Sequence, residues 1–429
     1  MQRKKRKLKF STLGVCLFLL YLYTYSIQEM VYRSDKIAVF SLIVSLMFFI
    51  PSFRKIRITK WDILWGLALI FIIFRNYDMA NGNYYLVAET VLCIMFIFVL
   101  SRSGQWNFSY IRLSLFFGFA HVILGFAFYL LPDFYLNNVV PLMGLDSYWS
   151  LRLQLMVDSG FMVGLTTHHS TLGIYFSILL MLLFAIRFVE ENKQKRKVFD
   201  ILILIVVFAF LINGKRGPLI FSVASAIAVY FICIYKGTIN NLIKLLLGIV
   251  VLTVVFVIAA NTVTAVNDFV ARFQGASDLN SLSSGRVNDL WVPALLIFVQ
   301  APLFGIGWRG FIYTFHAYST MVQDNNAHNI YLQLLCETGV VGLVVFVYIF
   351  VLTLIHSIKL AKQVELRKDI DKANAVMIVF AVMIQIFFLV EGIVGNTLYG
   401  LTFYVYCFAV AFIYSILIGR TRIVKKTGE

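Results

Sequence analysis

Apolar residues fall along this chain in long stretches separated by short polar segments. A helix needs about 20 apolar residues to cross hydrocarbon, and ~17 are tolerable. By that measure twelve candidate spans lie at 10–27, 37–53, 61–74, 84–100, 110–131, 160–189, 198–212, 217–235, 241–260, 330–356, 375–394 and 398–418. The third and seventh are short, as tilted, broken or partly shielded helices are. Two longer polar loops stand out, Pro132 to Gly160 and Asn261 to His328. Inside the second, Trp291 to Phe304 is apolar but too short to span comfortably, and reads as a re-entrant or interfacial helix. The pattern predicts an all-α polytopic membrane protein with about 12 transmembrane helices. Residues 1–260 hold helices one to nine, 261–329 a large external loop, and 330–429 helices ten to twelve.

Composition agrees. Of 429 residues, 61% are hydrophobic and 14% charged, and the mean hydropathy is +0.86. A soluble protein so composed has too few polar groups to cover its surface. The net charge of +16 raises nucleic acid as a partner. However, the basic residues sit in short clusters between apolar runs, as in cytoplasmic membrane loops, and this argues against it. With the N-terminus inside, 28 of the 37 basic residues fall on the cytoplasmic side, so both termini are expected to be cytoplasmic. The basic start, Arg3 to Lys9, precedes an apolar run longer than a signal-peptide core and without a small-x-small cleavage site. It reads as a retained first helix. Cys16, Cys93, Cys233, Cys336 and Cys407 lie far apart within apolar runs, which suits neither a disulfide framework nor a cysteine metal site. No Walker-type loop, G-x-S-x-G or H-E-x-x-H is present.

The nine basic residues left outside are Arg33, Lys36, Arg75, Arg152, Lys215, Arg216, Arg272, Arg286 and Arg309. Binding an anion at the outer face gives such residues a purpose, since guanidinium holds phosphate through two parallel hydrogen bonds. Pairing with outside carboxylates is the plainer account, preferred for Arg33, Arg75 and Arg152. Asn213-Gly-Lys-Arg-Gly-Pro218 makes a tight turn whose proline starts the next helix. That places Arg216 at a helix N-terminus, a site both it and the helix dipole suit once a phosphate is bound. Arg286 follows Ser284-Gly285 and can clamp the same anion, position a sugar, or simply pair with Asp289. His328-Asn329 stands where the chain re-enters the membrane: Asn329 is a plausible N-cap, and His328 can take a proton from a sugar hydroxyl. Adjacent His168 and His169 point about 100° apart on a helix and are poorly placed for one metal; packing or substrate contact remains for them. Glu337 and Glu391 are carboxylates in or at the ends of apolar helices, where such groups are paired or functional. About nine residues separate Glu337 from His328, so a buried network suits Glu337 better than a dyad.

Together, Gly214-Lys-Arg-Gly217, Ser284-Gly-Arg286 with Trp291 and Ala294-Leu295, Pro302-Leu-Phe-Gly-Ile-Gly307, and Ala327-His-Asn-x-Tyr-Leu-Gln333 with Glu337, Gly339 and Gly342 resemble the O-antigen ligase/polymerase family over roughly residues 205 to 356. The resemblance implies a GT-C-like bacterial glycosyltransferase of the cytoplasmic (inner) membrane, acting on undecaprenyl-diphosphate-linked oligosaccharides for O-antigen, capsule or exopolysaccharide. Arg216 and Arg286 would engage the diphosphate, and His328 would assist the acceptor hydroxyl. Lys215, Asn329, Trp291, Arg309, His168 and His169 would serve substrate binding. No cofactor and no metal are expected; membrane lipids and a chain-length regulator protein are the expected further partners. Many relatives have a small residue where Lys215 stands, which leaves a phosphate role for Lys215 open. A polymerase acting on a second lipid-linked repeat is the preferred activity, with a ligase to a lipid core or protein as the alternative. A lipid-linked oligosaccharide flippase is the rival of another class; repeated halves and a midplane cavity would mark it, whereas the chemistry here clusters on one side.

Overall fold

A computed structural model describes residues 10–32, 34–49, 58–74, 76, 84–103, 108–234, 285–321, 325–364 and 371–426. The apolar run at 241–260, the loop from Asn261 to Ser284, and Arg33, Arg75 and Arg272 lie outside the described residues. Those described form helices and turns, with no strand among them. The longer helices are α1 (Phe10–Thr24), α2 (Asp35–Met47), α3 (Lys60–Ile73), α4 (Tyr84–Ser103), α5 (Phe108–Leu130), α6 (Ser147–Asp158), α7 (His169–Val189), α8 (Lys193–Asn213), α9 (Arg216–Val229), α10 (Val292–Gln300), α11 (Ile330–Val364), α12 (Lys372–Glu391) and α13 (Leu401–Lys426). Among the described residues seven helical segments are long and apolar enough to span, formed by α4, α5, α7, α9, α11, α12 and α13. This is a multi-pass all-α membrane protein.

Every transmembrane helix is apolar, so packing decides which is central. The spanning stretches of α12 and α13 are each 78% buried against the protein and that of α5 only 22%. The first two therefore form the middle of the bundle, and α5 presents most of its surface to lipid. α12 packs against α7, α9, α11 and α13, and α13 also against α4. Buried polar side chains tie the bundle: the Trp65 indole N–H donates to the Tyr414 hydroxyl at 3.2 Å, which also bonds Thr353 at 2.6 Å. Gln385 Nε2 donates to Ser357 Oγ at 2.8 Å. In hydrocarbon such groups find partners on neighbouring helices.

Two elements depart from the hydropathy reading. The span expected from residue 160 starts at His169, because Gly160 and Gly164 take left-handed φ angles of 75° and 63° and cannot continue a helix. The 330–356 run is not one helix. At Gly339 the backbone leaves helical geometry (φ 65°, ψ −172°). A break at membrane depth frees carbonyls and N–H groups that only protein can satisfy. Pro302 to Gly307 supplies the partners. Ile306 N–H donates to the Cys336 carbonyl at 3.0 Å and Gly307 N–H to that of Glu337 at 2.9 Å. Beyond the break, Val340 N–H reaches the Pro302 carbonyl at 2.9 Å and Val341 N–H that of Leu303 at 3.2 Å. The Pro-Leu-Phe-Gly-Ile-Gly segment is thus a backbone plug in a discontinuous helix. α10 leads into it and packs along α11, while Leu303 and Phe304 turn outward at 63% and 60% exposure.

Gly305 and Gly339 permit this crossing. Both have φ near 65°, and a Cβ on Gly305 would enter the Glu337–Thr338 peptide, one on Gly339 the Leu303–Phe304 peptide. Gly305→Ala is expected to cost about 1–2 kcal/mol for the left-handed backbone alone, with the clash in addition. Gly66, whose Cβ would meet nothing within 4 Å, is the control. Thermal unfolding in detergent should drop clearly for Gly305→Ala and not for Gly66→Ala. Equal midpoints would refute the plug.

Candidate functional site

The site is assembled from chain breaks at one end of the bundle. α8 ends at Asn213, whose Nδ2 donates to the carbonyls of Met162 (2.7 Å) and His169 (2.9 Å). Gly214 follows in left-handed conformation (φ 74°), with its N–H on the Phe210 carbonyl at 3.1 Å, as helix-ending glycines do. Lys215 is extended, and α9 begins at Arg216. Pro218 sits in its first turn, as expected. Among the described residues the side chain preceding α9 gives no capping bond, so the N-terminal peptide groups of α9 face this end with their partial positive charge.

His168 and His169 secure this turn from behind. His168 is the N-cap of α7 rather than a helical residue, its Nδ1 accepting from Ser170 N–H at 3.0 Å. Burial, reinforced by Lys215 and Arg152, pushes His168 down to about 3. His169 is buried and bonds the Asn213 carbonyl through Nδ1 at 3.2 Å.

The second contribution comes from the chain around Gly285 to Trp291. Arg286 precedes the π-type turn Val287–Trp291, and its Nη1 donates to the Val394 carbonyl at 2.6 Å. It is therefore docked on the segment between α12 and α13, not on Asp289. Burial lowers its pKa, Glu391 opposes this, and Arg216 adds to it; the guanidinium remains charged. Trp291 stands nearby, with an indole N–H that has no hydrogen-bond partner among the described residues.

The third contribution is His328, held in left-handed backbone geometry (φ 49°), which is uncommon for a non-glycine residue. The chain either side of it is fixed. Ala327 N–H donates to Gln333 Oε1 at 2.7 Å, and Gln333 Nε2 to Glu337 Oε1 at 2.6 Å. Asn329 Oδ1 accepts from Tyr331 and Leu332 N–H at 3.0 and 3.1 Å, which makes Asn329 the N-cap of α11. Glu337 also accepts from Phe311 N–H at 3.2 Å and from the Tyr399 hydroxyl. This buried carboxyl is the network hub its position suggested, joining α11, the chain after the plug, and the α12–α13 segment. Burial, then Glu337, pushes the Tyr399 phenol up, so it keeps its proton and donates. Burial pushes His328 down to about 3, with Arg286 and Lys215 adding to it. At neutral pH His328 is an uncharged imidazole.

Lys215, Arg216, Arg286, Trp291 and His328 line a single cavity of about 550 Å³. Asn329, Arg309, His168 and His169 are not in its lining. Arg309 lies over the Tyr399 ring at 4.9 Å, while Tyr399 itself lines the cavity. The opposite wall holds Glu391, which its place at an apolar helix end had singled out, and Asn396, Thr397, Tyr399 and Tyr25, which the sequence pattern had not. The expected spans at 375–394 and 398–418 leave only three residues between them, whereas the helices stop at Glu391 and resume at Leu401, so Gly392 to Gly400 forms a nine-residue irregular segment.

Residues 201–347, about a third of the chain, match the family model described as O-antigen ligase. The match takes in the α8–α9 turn, Arg286, the plug, His328 and the break in α11, and it leaves out Glu391 and Tyr399. No curated protein matches the chain.

A pH dependence follows from the two depressed histidines. Each is neutral in the fold and becomes protonated in the unfolded chain below about 6.5. Their stability contribution is therefore fully present above that pH and is lost as pH falls towards about 3. Thermal midpoints should decline from pH 6.5 to 4, and His168→Gln with His328→Gln should flatten part of that slope. An unchanged slope would mean that these imidazoles are protonated in the native state.

Proposed function

We propose, from the match of residues 201–347 to the family model described as O-antigen ligase and from the cavity, that this chain is a glycosyltransferase drawing on an undecaprenyl-diphosphate-linked oligosaccharide. In this reading the glycan passes to a hydroxyl of a second lipid-linked repeat unit at the outer face of the cytoplasmic membrane. The observation that carries it is the meeting of Lys215, Arg216 and Arg286 in one cavity with His328. Three cations and an open helix N-terminus gathered at the end of a membrane bundle suit a diphosphate far better than a neutral ligand. A volume of about 550 Å³ is in the range of small-molecule sites. Ile220, Phe221 and Leu401 in the wall suit the first part of a polyprenyl chain. Trp291, Tyr25 and Tyr399 offer ring faces and polar tips to sugar.

The acceptor oxygen attacks the anomeric carbon, and the bond from that carbon to the diphosphate oxygen breaks. Direct attack inverts the anomeric centre. Charge grows on the leaving diphosphate, and Arg216 and Arg286 are placed to stabilise it without reorganising. Fixed charges that meet developing charge in this way are usually what lowers the barrier most. His328, uncharged, accepts a hydrogen bond from the attacking hydroxyl, orients it, and takes its proton as the new bond forms. The family's description as O-antigen ligase favours one second reading, the same donor chemistry with a lipid core as acceptor.

Detergent-purified protein, given lipid-linked repeat units alone or with lipid core, tests both. Chain elongation without compartments is the expected result and is beyond a transporter. Arg216→Ala and His328→Ala should each lower transfer at least a hundredfold while expressing normally, the range for losing an oxyanion-type donor or a positioned proton acceptor. Near-normal chain length in both variants would sink the assignment.

A further inference from the structure

An imidazole that takes a proton must present a lone pair, and which ring nitrogen carries it depends on the bond made by the other. Nε2 of His328 lies 3.3 Å from Oδ1 of Asn325, three residues earlier in the same approach to α11. Among the described residues this is the one hydrogen bond made by the ring. The far side of the Asn325 amide settles which way it faces. Nδ2 donates to the Met321 thioether at 3.5 Å, and a thioether accepts a hydrogen but has none to give. The amide oxygen is therefore the atom turned to the ring. Met321 is itself held in place. Its N–H donates to Ser319 Oγ at 3.1 Å, and its carbonyl accepts from His316 Nδ1 at 3.0 Å. Its side chain packs against the apolar cluster of Leu290, Ala294 and Phe311. An amide oxygen only accepts, so the neutral imidazole carries its hydrogen on Nε2 and its lone pair on Nδ1.

We propose that Asn325 is a positioning residue for the transfer, holding His328 in the tautomer that leaves Nδ1 open to the acceptor hydroxyl. The inference rests on the reaction set out above. In that reaction the acceptor oxygen bonds to the anomeric carbon and its proton passes to Nδ1. The anomeric C–O bond breaks with its electron pair leaving on the diphosphate. Nε2–H stays on Asn325 Oδ1 throughout, so the imidazolium that forms keeps the orientation of the imidazole it came from. A group behind the ring that fixes tautomer and orientation is worth a large part of what the base itself supplies.

The charges at this end explain why that group is an amide. Lys215 at the start of α9 and Arg286 ahead of α10 oppose a positive ring. Arg216, Glu391, Tyr25 and Tyr399 are the other titratable groups of the cavity. A carboxylate at position 325 would favour the imidazolium and keep the ring protonated at a pH where it has to accept. The amide supplies the orientation without the charge.

Asn325→Leu keeps the volume and removes the oxygen. In the full-length detergent-purified protein, kcat for transfer between lipid-linked repeat units should fall on the order of 10–10²-fold, short of losing the base itself. Binding of undecaprenyl diphosphate, measured separately, should be unchanged. Asn325→Asp keeps an oxygen for Nε2–H. It should recover turnover at high pH and move the acid limb of kcat/KM upward by about one pH unit or more, because the carboxylate stabilises the imidazolium. The proposal is overturned if Asn325→Leu turns over within threefold of wild type, or if Asn325→Asp leaves the acid limb where it was. It is equally overturned if lost turnover is matched by lost undecaprenyl diphosphate binding, the sign of a donor contact or a structural role. Near-normal transfer by His328→Ala would instead remove the underlying reaction, and this inference with it.

Discussion

A helix cannot be interrupted inside a membrane unless its freed backbone groups are satisfied by protein, and the architecture of the site follows from that constraint. α11 breaks at Gly339, and Pro302 to Gly307 accepts and donates the four backbone hydrogen bonds that flank the break. The plug fixes the chain that follows it, including the Phe311 N–H that donates to Glu337. From Glu337 one line of bonds runs through Gln333 to Ala327, next to His328, and another runs to Tyr399 in the opposite wall. The broken helix is thus more than a tolerated irregularity. It is what aims a histidine and a tyrosine from different segments into one cavity.

Electrostatics sets the second condition. Lys215, Arg216 and Arg286 share one small cavity with one carboxylate, an arrangement that repels itself when empty. The fold meets this cost locally: Arg286 is anchored on the Val394 carbonyl, and Glu391 offsets part of the charge. Under the proposed function, the remaining excess of positive charge is what attracts the phosphate-bearing donor. It also explains why both histidines at this end are neutral: with burial, the same cations disfavour a further positive charge.

Most of the bundle was legible because a transmembrane helix is a long signal, repeated over ~20 residues. Turns of a few residues were legible where glycine, proline and a cap residue coincide, as at Asn213 to Pro218 and at Asn329. The break in α11 was not, because Gly339 lies inside an uninterrupted apolar run and hydropathy is blind to backbone geometry. Its partner was visible only as an unexplained Gly-Ile-Gly motif. His168 looked helical for the same reason, since the left-handed turns at Gly160 and Gly164 leave composition almost unchanged. Glu391 and Tyr399 stood in plain view as a polar residue at a helix end and an aromatic in a connection. Nothing local to either sequence position reveals that the segment between α12 and α13 folds over Arg286, because that pairing spans 108 residues. Arg309, expected among the substrate-binding residues, lies over the ring of Tyr399, one residue behind the cavity wall.

The proposed reaction depends above all on where the diphosphate sits. An experimental structure of the protein bound to undecaprenyl diphosphate measures this directly. The phosphates are expected within hydrogen-bond distance of Arg216 and Arg286, against the first turn of α9, with the lipid leaving past Ile220 and Phe221. Phosphate density outside this cavity, with both arginines untouched, would contradict it.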